Sequence, residues 1–300
     1  MERRLIKQGG GGYTIYLPKK WVERNSLDKG NSLNVDESGA NLIISRAGTA
    51  KKTQTEIHLT GLTESSIRTL ITNTYRLGYD RITVRFEDEK QFKILQEVVK
   101  TRLIGFDIIK KQEKECVVES ITEPSYEQFD NILKKMFLNI DEFFEITKTR
   151  LGIEKSETED FEEVAERIQK YDNFCRRAIM KRKLIEKNSE LFWTFLTLII
   201  HAQRELYYLN KSIDKKTKLS EKQQELLIAG YDIFQLLEKA YNEKNSSYLG
   251  KIHEMQKNLI YKEGYALLKD KKANNLITYH LMVCIRELYQ ANSPLTGIIL

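Results

Sequence analysis

The order of apolar and polar positions divides the chain into three regions, and the first predicts short strands. Alternation over residues 3–7 and 13–17, on either side of four glycines, predicts a β-hairpin, because glycine enters a tight turn without strain. The segment KKWVERNSL after Pro18 predicts a short helix, and NSLNVDE with NLIISR predicts a second hairpin. A segment of about 45 residues buries little surface, so we expect it to need a partner chain or the rest of the protein.

The second region, residues 52–121, predicts a small α+β domain. TEIHLTG and DRITVRFED predict strands, and between them a helical apolar spacing runs from Thr63 to Gly78. A second helix is predicted to end at Gly105, followed by the strands FDIIKKQ and ECVVESI. Because no glycine loop here has the spacing of a phosphate-binding loop, we interpret this domain as a spacer or packing module.

The third region, from Ser125 to the end, predicts six helices. Phe129, Leu133, Met136 and Phe137 belong to an apolar stripe typical of a bundle helix. The five further helices are predicted at residues 158–186, 189–211, 220–244, 247–270 and 274–291. Capping-box spacing marks three starts: Ser125 with Gln128, Ser156 with Glu159, and Ser220 with Gln223.

A short repeat divides the six predicted helices into two halves. RELYYLN at 204–210 recurs as RELYQAN at 286–292, each time near the end of the third helix of three. A match of this length can arise by chance, but the shared position favours a duplicated three-helix unit.

Composition and charge narrow the class of protein. The chain has 300 residues, 31% of them charged, and a net charge of +6, which is compatible with nucleic acid or acidic lipid as a partner. Its three cysteines lie far apart in sequence, which indicates neither a disulfide framework nor a cysteine zinc site. The first residues lack an apolar leader, and the longest apolar stretch, 191–202, is too short to span a bilayer. We therefore expect a cytoplasmic protein without membrane insertion.

Both ends of the chain resemble known families. GGGGYTIYLPKKWVERNSLDKGNSLNV followed by NLIISR resembles the swapped-hairpin DNA-binding domain of the AbrB, MazE and SpoVT type. The six helices with their repeat resemble PhoU, the phosphate-uptake regulator, and the whole chain is similar to archaeal PhoU-like regulators. The resemblance implies a multidomain α+β fold: a swapped-hairpin β domain at 1–48, a small α+β domain at 52–121, and an all-α domain of two three-helix bundles at 124–300.

The resemblance also implies a function and a contact surface. In AbrB-like domains an intertwined homodimer meets DNA phosphates, and the corresponding cations here are Arg3, Arg4, Lys7, Lys19, Lys20 and Arg24. The resemblance thus predicts a dimeric transcriptional regulator of phosphate-responsive genes. Two alternatives remain open: an adaptor that docks on a phosphate transporter or sensor kinase and uses residues 1–48 only to dimerise, and an antitoxin-like module with a ligand-binding bundle.

Neither a metal site nor an active site is predicted. At the places where PhoU proteins carry metal-binding carboxylates, this chain has Tyr207, Lys211, Tyr289 and Ser293. Glu205 and Glu287 lie nearby, and we expect them to be solvated or paired to another helix. The four histidines are scattered, and the catalytic motifs of hydrolases and phosphate-binding loops are missing from the sequence. The sequence therefore predicts no cofactor, no metal and no enzymatic activity.

Overall fold

The computed structural model describes residues 3–38, 41–46, 52–122, 126–155, 159–182, 188–214 and 217–300. Backbone contacts divide the chain into two compact units, Met1–Lys52 and Thr53–Leu300. The second unit contains both the four-stranded sheet of the middle region and the long helices that follow it. A small β region therefore precedes an α+β body that becomes helical toward the carboxyl terminus.

The first unit contains two antiparallel hairpins with a short helix between them. Its elements are β1 (Ile6–Lys7), β2 (Tyr13–Thr14), α1 (Lys19–Arg24), β3 (Leu33–Ser38) and β4 (Asn41–Arg46). Both predicted hairpins are present, but β1 and β2 are only two residues long each. Pro18 immediately precedes α1, where its carbonyl accepts the amides of Trp21 and Val22.

The second unit begins with a mixed sheet whose strand order is β5-β6-β8-β7. Its strands are β5 (Gln54–His58), β6 (Arg81–Arg85), β7 (Phe106–Lys111) and β8 (Glu115–Ser120). Strands β5 and β6 are parallel, because helix α2 (Glu64–Arg76) connects them, whereas β8 runs antiparallel to both β6 and β7. Helices α2 and α3 (Glu89–Arg102) pack together and share an apolar core with the sheet.

The turns that follow α2 and α3 and lead into the next strands differ, although the sequence predicts a helix end at a glycine, Gly78 or Gly105, in both. Helix α2 ends as predicted, with Gly78 at a φ of +91° and its amide bonded to the carbonyl of Tyr75. Helix α3 ends earlier than predicted, at Arg102, because Leu103 is already extended. Gly105, with a φ of +76°, therefore turns the chain into β7 rather than capping the helix.

The long helices follow the predicted order with shifted ends. They are α4 (Tyr126–Arg150), α5 (Phe161–Arg182), α6 (Ser189–Ser212), α7 (Glu221–Glu243), α8 (Ser247–Asn258), α9 (Tyr265–Lys269), α10 (Asn275–Gln290) and α11 (Asn292–Ile299). A π-helical segment, Leu259–Gly264, joins α8 to α9, so the helix predicted at 247–270 is continuous but locally widened. Helix α11 was not predicted. Pro294 lies in its first turn, where a helix needs no amide donor.

Only one of the three predicted capping boxes lies wholly in the described residues, and it is confirmed. The Ser220 side chain accepts the amide of Gln223, and the Gln223 side chain accepts the amide of Ser220. Ser125 and Ser156 lie outside the described residues. At the start of α5, the carboxylate of Asp160 accepts the amide of Glu162, so Asp160 caps this helix.

The long helices share one apolar core. Helices α4, α5 and α6 contact one another, as do α7, α8 and α10, and the most extensive helix contact joins α6 to α10. The predicted stripe of α4 is buried, with Leu133, Met136 and Phe137 at most 1% exposed. Helix α5 also packs on α2 and α3, so the middle sheet, its two helices and α5 form successive layers. Among the described residues, no helix is long and apolar enough to cross a membrane.

Candidate functional site

The six predicted DNA-contacting cations are all exposed on the first unit. Arg3 and Arg4 precede β1, which contains Lys7, and the other three lie on α1. Lys19 pairs with Glu23 at 3.7 Å, with side chains 89% and 61% exposed, so water weakens this pair. The other five cations form no ion pair with any residue that the structure describes. These charges are therefore available to an acidic partner.

The glycine run forms the turn between β1 and β2. Gly10 and Gly11 have φ values of +91° and +95°, which residues other than glycine rarely adopt. The amide of Gln8 donates to the carbonyl of Gly12 at 2.8 Å and closes the loop. Two of the four glycines are thus required by the backbone, and the loop carries no side chain that would cover the neighbouring cations.

Apolar side chains of the first unit are exposed as well. None of its described side chains is buried. Val35 and Leu42 are 57% and 64% exposed, and in the β3–β4 register they lie on the same face of the hairpin as Ile44. Tyr13 and Tyr16 are 61% and 73% exposed. An apolar strand face of this kind is typical of a surface that another chain covers.

A second cluster of charges joins the middle domain to α5, and the sequence did not reveal it. Asp80, directly before β6, contacts Arg177 at 2.8 Å, and the two side chains are 4% and 1% exposed. Lys181 pairs with the same carboxylate, whose other oxygen accepts the amide of Thr53. Arg177 also donates to the carbonyls of Tyr75 and Tyr79. Lys181, near the end of α5, is therefore held against the middle domain rather than solvated.

A further network on α5 lies beside it. Asp172, whose side chain is 1% exposed, pairs with Arg76 of α2 at 2.9 Å and with Arg176 at 2.8 Å. Asn173 accepts from the Arg76 guanidinium and donates to the backbone carbonyl of Arg102. Helix α5 thus anchors the ends of both α2 and α3, so the middle domain is fixed to the helices through buried polar contacts.

A pocket of about 310 Å³ opens where the end of α3 meets α5 and α6. It is lined by Arg102, by Glu162, Ala165, Glu166 and Gln169 of α5, and by Gln203, Arg204, Tyr207 and Tyr208 of α6. Gln203 is only 3% exposed, and its amide nitrogen has no hydrogen-bond partner. The Nε of Arg102 is also buried without a partner. Two buried donors at one pocket are unusual, because such groups are nearly always paired.

The charged side chains that line this pocket are two arginines, Arg102 and Arg204, and two glutamates, Glu162 and Glu166. Burial lowers the pKa of both Arg76 and Arg102, and the like charge of Arg204 lowers both further. Arg204 is exposed and forms no ion pair with the described residues. Glu162 pairs with Lys211, and Glu166 lies 4.0 Å from Arg102. The pocket therefore has donors on Arg102, Gln203 and Arg204 that its own acceptors do not satisfy.

Each repeated motif supplies a glutamate that contacts a histidine across the packed helices α6 and α10. Glu205 lies 2.8 Å from Nδ1 of His280, and Glu287 lies 3.7 Å from Nδ1 of His201. The expectation that these glutamates pair with another helix is confirmed. Burial, with the charge of both carboxylates added to it, raises the pKa of the Cys284 thiol between them. Within the described ranges, no group of three histidine, cysteine or acidic side chains could hold a metal ion.

Sequence reasoning identified the exposed cations but missed the pocket and the α5 network. Arg204 drew attention only as part of the repeat, and Arg102 and Gln203 carried no signal. The ring of Tyr207 packs against that of Phe161, with centroids 5.7 Å apart, and Tyr207 lines the pocket. Comparison with protein-family models, with curated proteins and with solved structures finds no match to this chain.

Proposed function

We propose that this chain is a dimeric DNA-binding regulator of phosphate-responsive genes, of the PhoU-like type that its sequence resembles. The observation that carries the proposal is the first unit, whose six cations are exposed while its apolar strand face is uncovered. Five of the six cations form no ion pair among the described residues, so they can approach phosphates without first breaking a contact.

Dimerisation is the first step of the proposal. A unit of about 50 residues, none of whose described side chains is buried, cannot supply its own core, and a second copy covers the face of Val35 and Leu42 most simply. The two-fold axis of such a dimer doubles the six cations to about twelve, which suffices for several phosphate contacts. In this arrangement the homodimer is the DNA-binding species.

The helical region supports the second half of the proposal. Helices α4, α5 and α6 contact one another, as do α7, α8 and α10, and each repeated motif supplies a glutamate that contacts a histidine across α6 and α10. This grouping is consistent with a duplicated three-helix unit of the PhoU type, which would receive a signal. The signal changes the paired first units only if its ligand binds two conformations with different affinity.

The oligomeric state is tested by sedimentation velocity on the full chain. Replacing Val35 and Leu42 by Ser, V35S/L42S, should convert a dimer into a monomer. Both side chains are exposed within one chain, so the variant should lose little stability as a monomer. A wild-type monomer at all concentrations would contradict the proposal, and a variant that remains dimeric would exclude this face as the interface.

DNA contact is tested by fluorescence anisotropy on a duplex from the upstream region of the gene and on a scrambled duplex. The variant K19A/K20A should weaken binding to both, because phosphate contacts do not depend on sequence. The control K271A/K272A removes the same charge from two exposed lysines before α10 and should bind as the wild type does. Equal loss in both variants would indicate only a general effect of charge. Intact dimers that bind no DNA would favour the adaptor alternative.

A further inference from the structure

The pocket between α3, α5 and α6 has features of a ligand site. It is enclosed by the carboxyl-terminal end of α3 on one side and by two long helices on the others. Its volume of about 310 Å³ falls at the lower end of the range for small-molecule sites. Gln203, though 3% exposed, uses neither end of its amide in a hydrogen bond to a described residue.

Unsatisfied donors restrict the ligand chemistry. The Nε of Arg102 and the amide nitrogen of Gln203 both need an acceptor, and a buried donor without one costs about 1–3 kcal/mol. Rotation of the Gln203 amide by half a turn exchanges its oxygen and nitrogen, so the donor can face the pocket. Arg204 adds an exposed guanidinium without an ion pair in the described part of the chain. Acceptor oxygens with negative charge satisfy all three groups.

The two carboxylates that line the pocket, those of Glu162 and Glu166, leave Arg204 without an ion pair among the described residues. Glu162 is held by Lys211. Glu166, 46% exposed and 4.0 Å from Arg102, is the carboxylate that a bound anion would displace.

We propose that this pocket binds a small oxyanion, a phosphate, sulfate or carboxylate group, through Arg102, Gln203 and Arg204. The bound anion contacts the end of α3 and α6 together, so it ties the middle domain to the helices. This site lies in the second unit and uses none of the six cations of the first unit. The inference goes beyond the proposed function and does not depend on DNA contact.

Isothermal titration calorimetry of the full-length protein with inorganic phosphate, sulfate and acetate tests the proposal. Each titration is carried out at constant ionic strength, with chloride as the control anion. At least one oxyanion should bind with a saturable heat that chloride does not give. The variants R204Q and R102Q should weaken that binding by about tenfold or more, the loss expected for a charge-assisted hydrogen bond. E166Q should tighten it, because a competing carboxylate is removed.

The repeat supplies a matched control. Arg286 occupies in RELYQAN the place of Arg204 in RELYYLN, is exposed on α10, and does not line the pocket. R286Q should bind the anion as the wild type does. Circular dichroism verifies folding, and because Arg204 is exposed, R204Q remains informative if R102Q fails to fold. Failure of all three oxyanions to bind, or equal binding by R204Q and wild type, would overturn the proposal. The anion that binds best identifies the ligand class.

Discussion

Replacing Asp80 by Asn, D80N, is expected to weaken the junction between the middle domain and α5. The carboxylate accepts from Arg177 and Lys181 through one oxygen and from Thr53 through the other. The Arg177 side chain is 1% exposed and also lies 4.6 Å from the ring of Phe106. After the substitution, this guanidinium stays buried without its anionic partner.

The expected loss of unfolding free energy in D80N follows from the burial of the Asp80–Arg177 pair. Removing one partner of a buried ion pair typically lowers the free energy of unfolding by about 3–5 kcal/mol, because the remaining charge is uncompensated. The pair between Arg85 and Glu56 has the same distance, 2.8 Å, but its side chains are 53% and 44% exposed. Its disruption by E56Q should cost less than about 1 kcal/mol, because water screens exposed pairs. The two variants thus compare a buried carboxylate with a half-exposed one, and Arg85 keeps Glu115 at 3.3 Å after E56Q.

The assay is urea unfolding followed by tryptophan fluorescence. Trp21 lies in the first unit, and Trp193 lies 4.7 Å from the Arg176 guanidinium, so a W21F background makes the signal specific for the junction. R177M and the double variant D80N/R177M complete a double-mutant cycle. We expect the double variant to be more stable, by about 1–3 kcal/mol, than the sum of the two single-variant losses predicts. A D80N loss as small as that of E56Q would refute the reasoning.

Three smaller predictions concern single sites. S220A removes the capping serine of α7 and should lower the free energy of unfolding by about 1 kcal/mol in thermal unfolding by circular dichroism. G105A should cost about 1–2 kcal/mol or more in urea unfolding, because φ is +76° and the new Cβ would lie 2.5 Å from Oγ1 of Thr122. Burial and the charge of Asp141 raise the pKa of Glu238, so wild-type stability falls as pH rises through that pKa. E238Q should therefore be more stable than wild type at about pH 7.5 and equal to it near pH 4, measured as melting temperature across this range.

Each of these predictions has a control elsewhere in the second unit. S246A alters a serine before α8 that makes no capping hydrogen bond, and should change stability less than S220A. G250A places a methyl group in open space on α8 and should stabilise by about 0.5–1 kcal/mol. E225Q alters an exposed glutamate of α7 and should show no pH-dependent gain. Equal responses of a variant and its control would contradict the corresponding prediction.

Local patterns predicted the order of helices and strands because their causes lie within a few residues. Thr63 and Ser220 accept amides three residues later, and Gly78 adopts the positive φ that a helix end requires. The exposed cations of the first unit could likewise be predicted, since α1 and the hairpins are too small to bury them. The additional helix α11 could not be predicted, because a proline such as Pro294 is compatible with the first turn of a helix as well as with the end of one.

The α5 network and the pocket could not be predicted, because burial there depends on partners far away in sequence. Asp172 and Arg177 are charged residues on a helix, and such residues are usually exposed. They are buried because Arg76 and Asp80, about 100 residues earlier, come to lie opposite them. The same holds for Gln203, whose burial follows from the packing of α3 and α5 on α6.

The most direct test of the proposed function is the salt dependence of DNA binding by the full-length wild type and by K19A/K20A. The logarithm of the wild-type binding constant should fall linearly with the logarithm of salt concentration, steeply enough to indicate at least four phosphate contacts, a slope of about −3.6 or more negative. Because the variant removes two cations from each chain of a dimer, its slope should be shallower by as much as about 3.6. Absence of wild-type binding at about 50 mM salt, or identical slopes, would contradict a DNA-binding first unit.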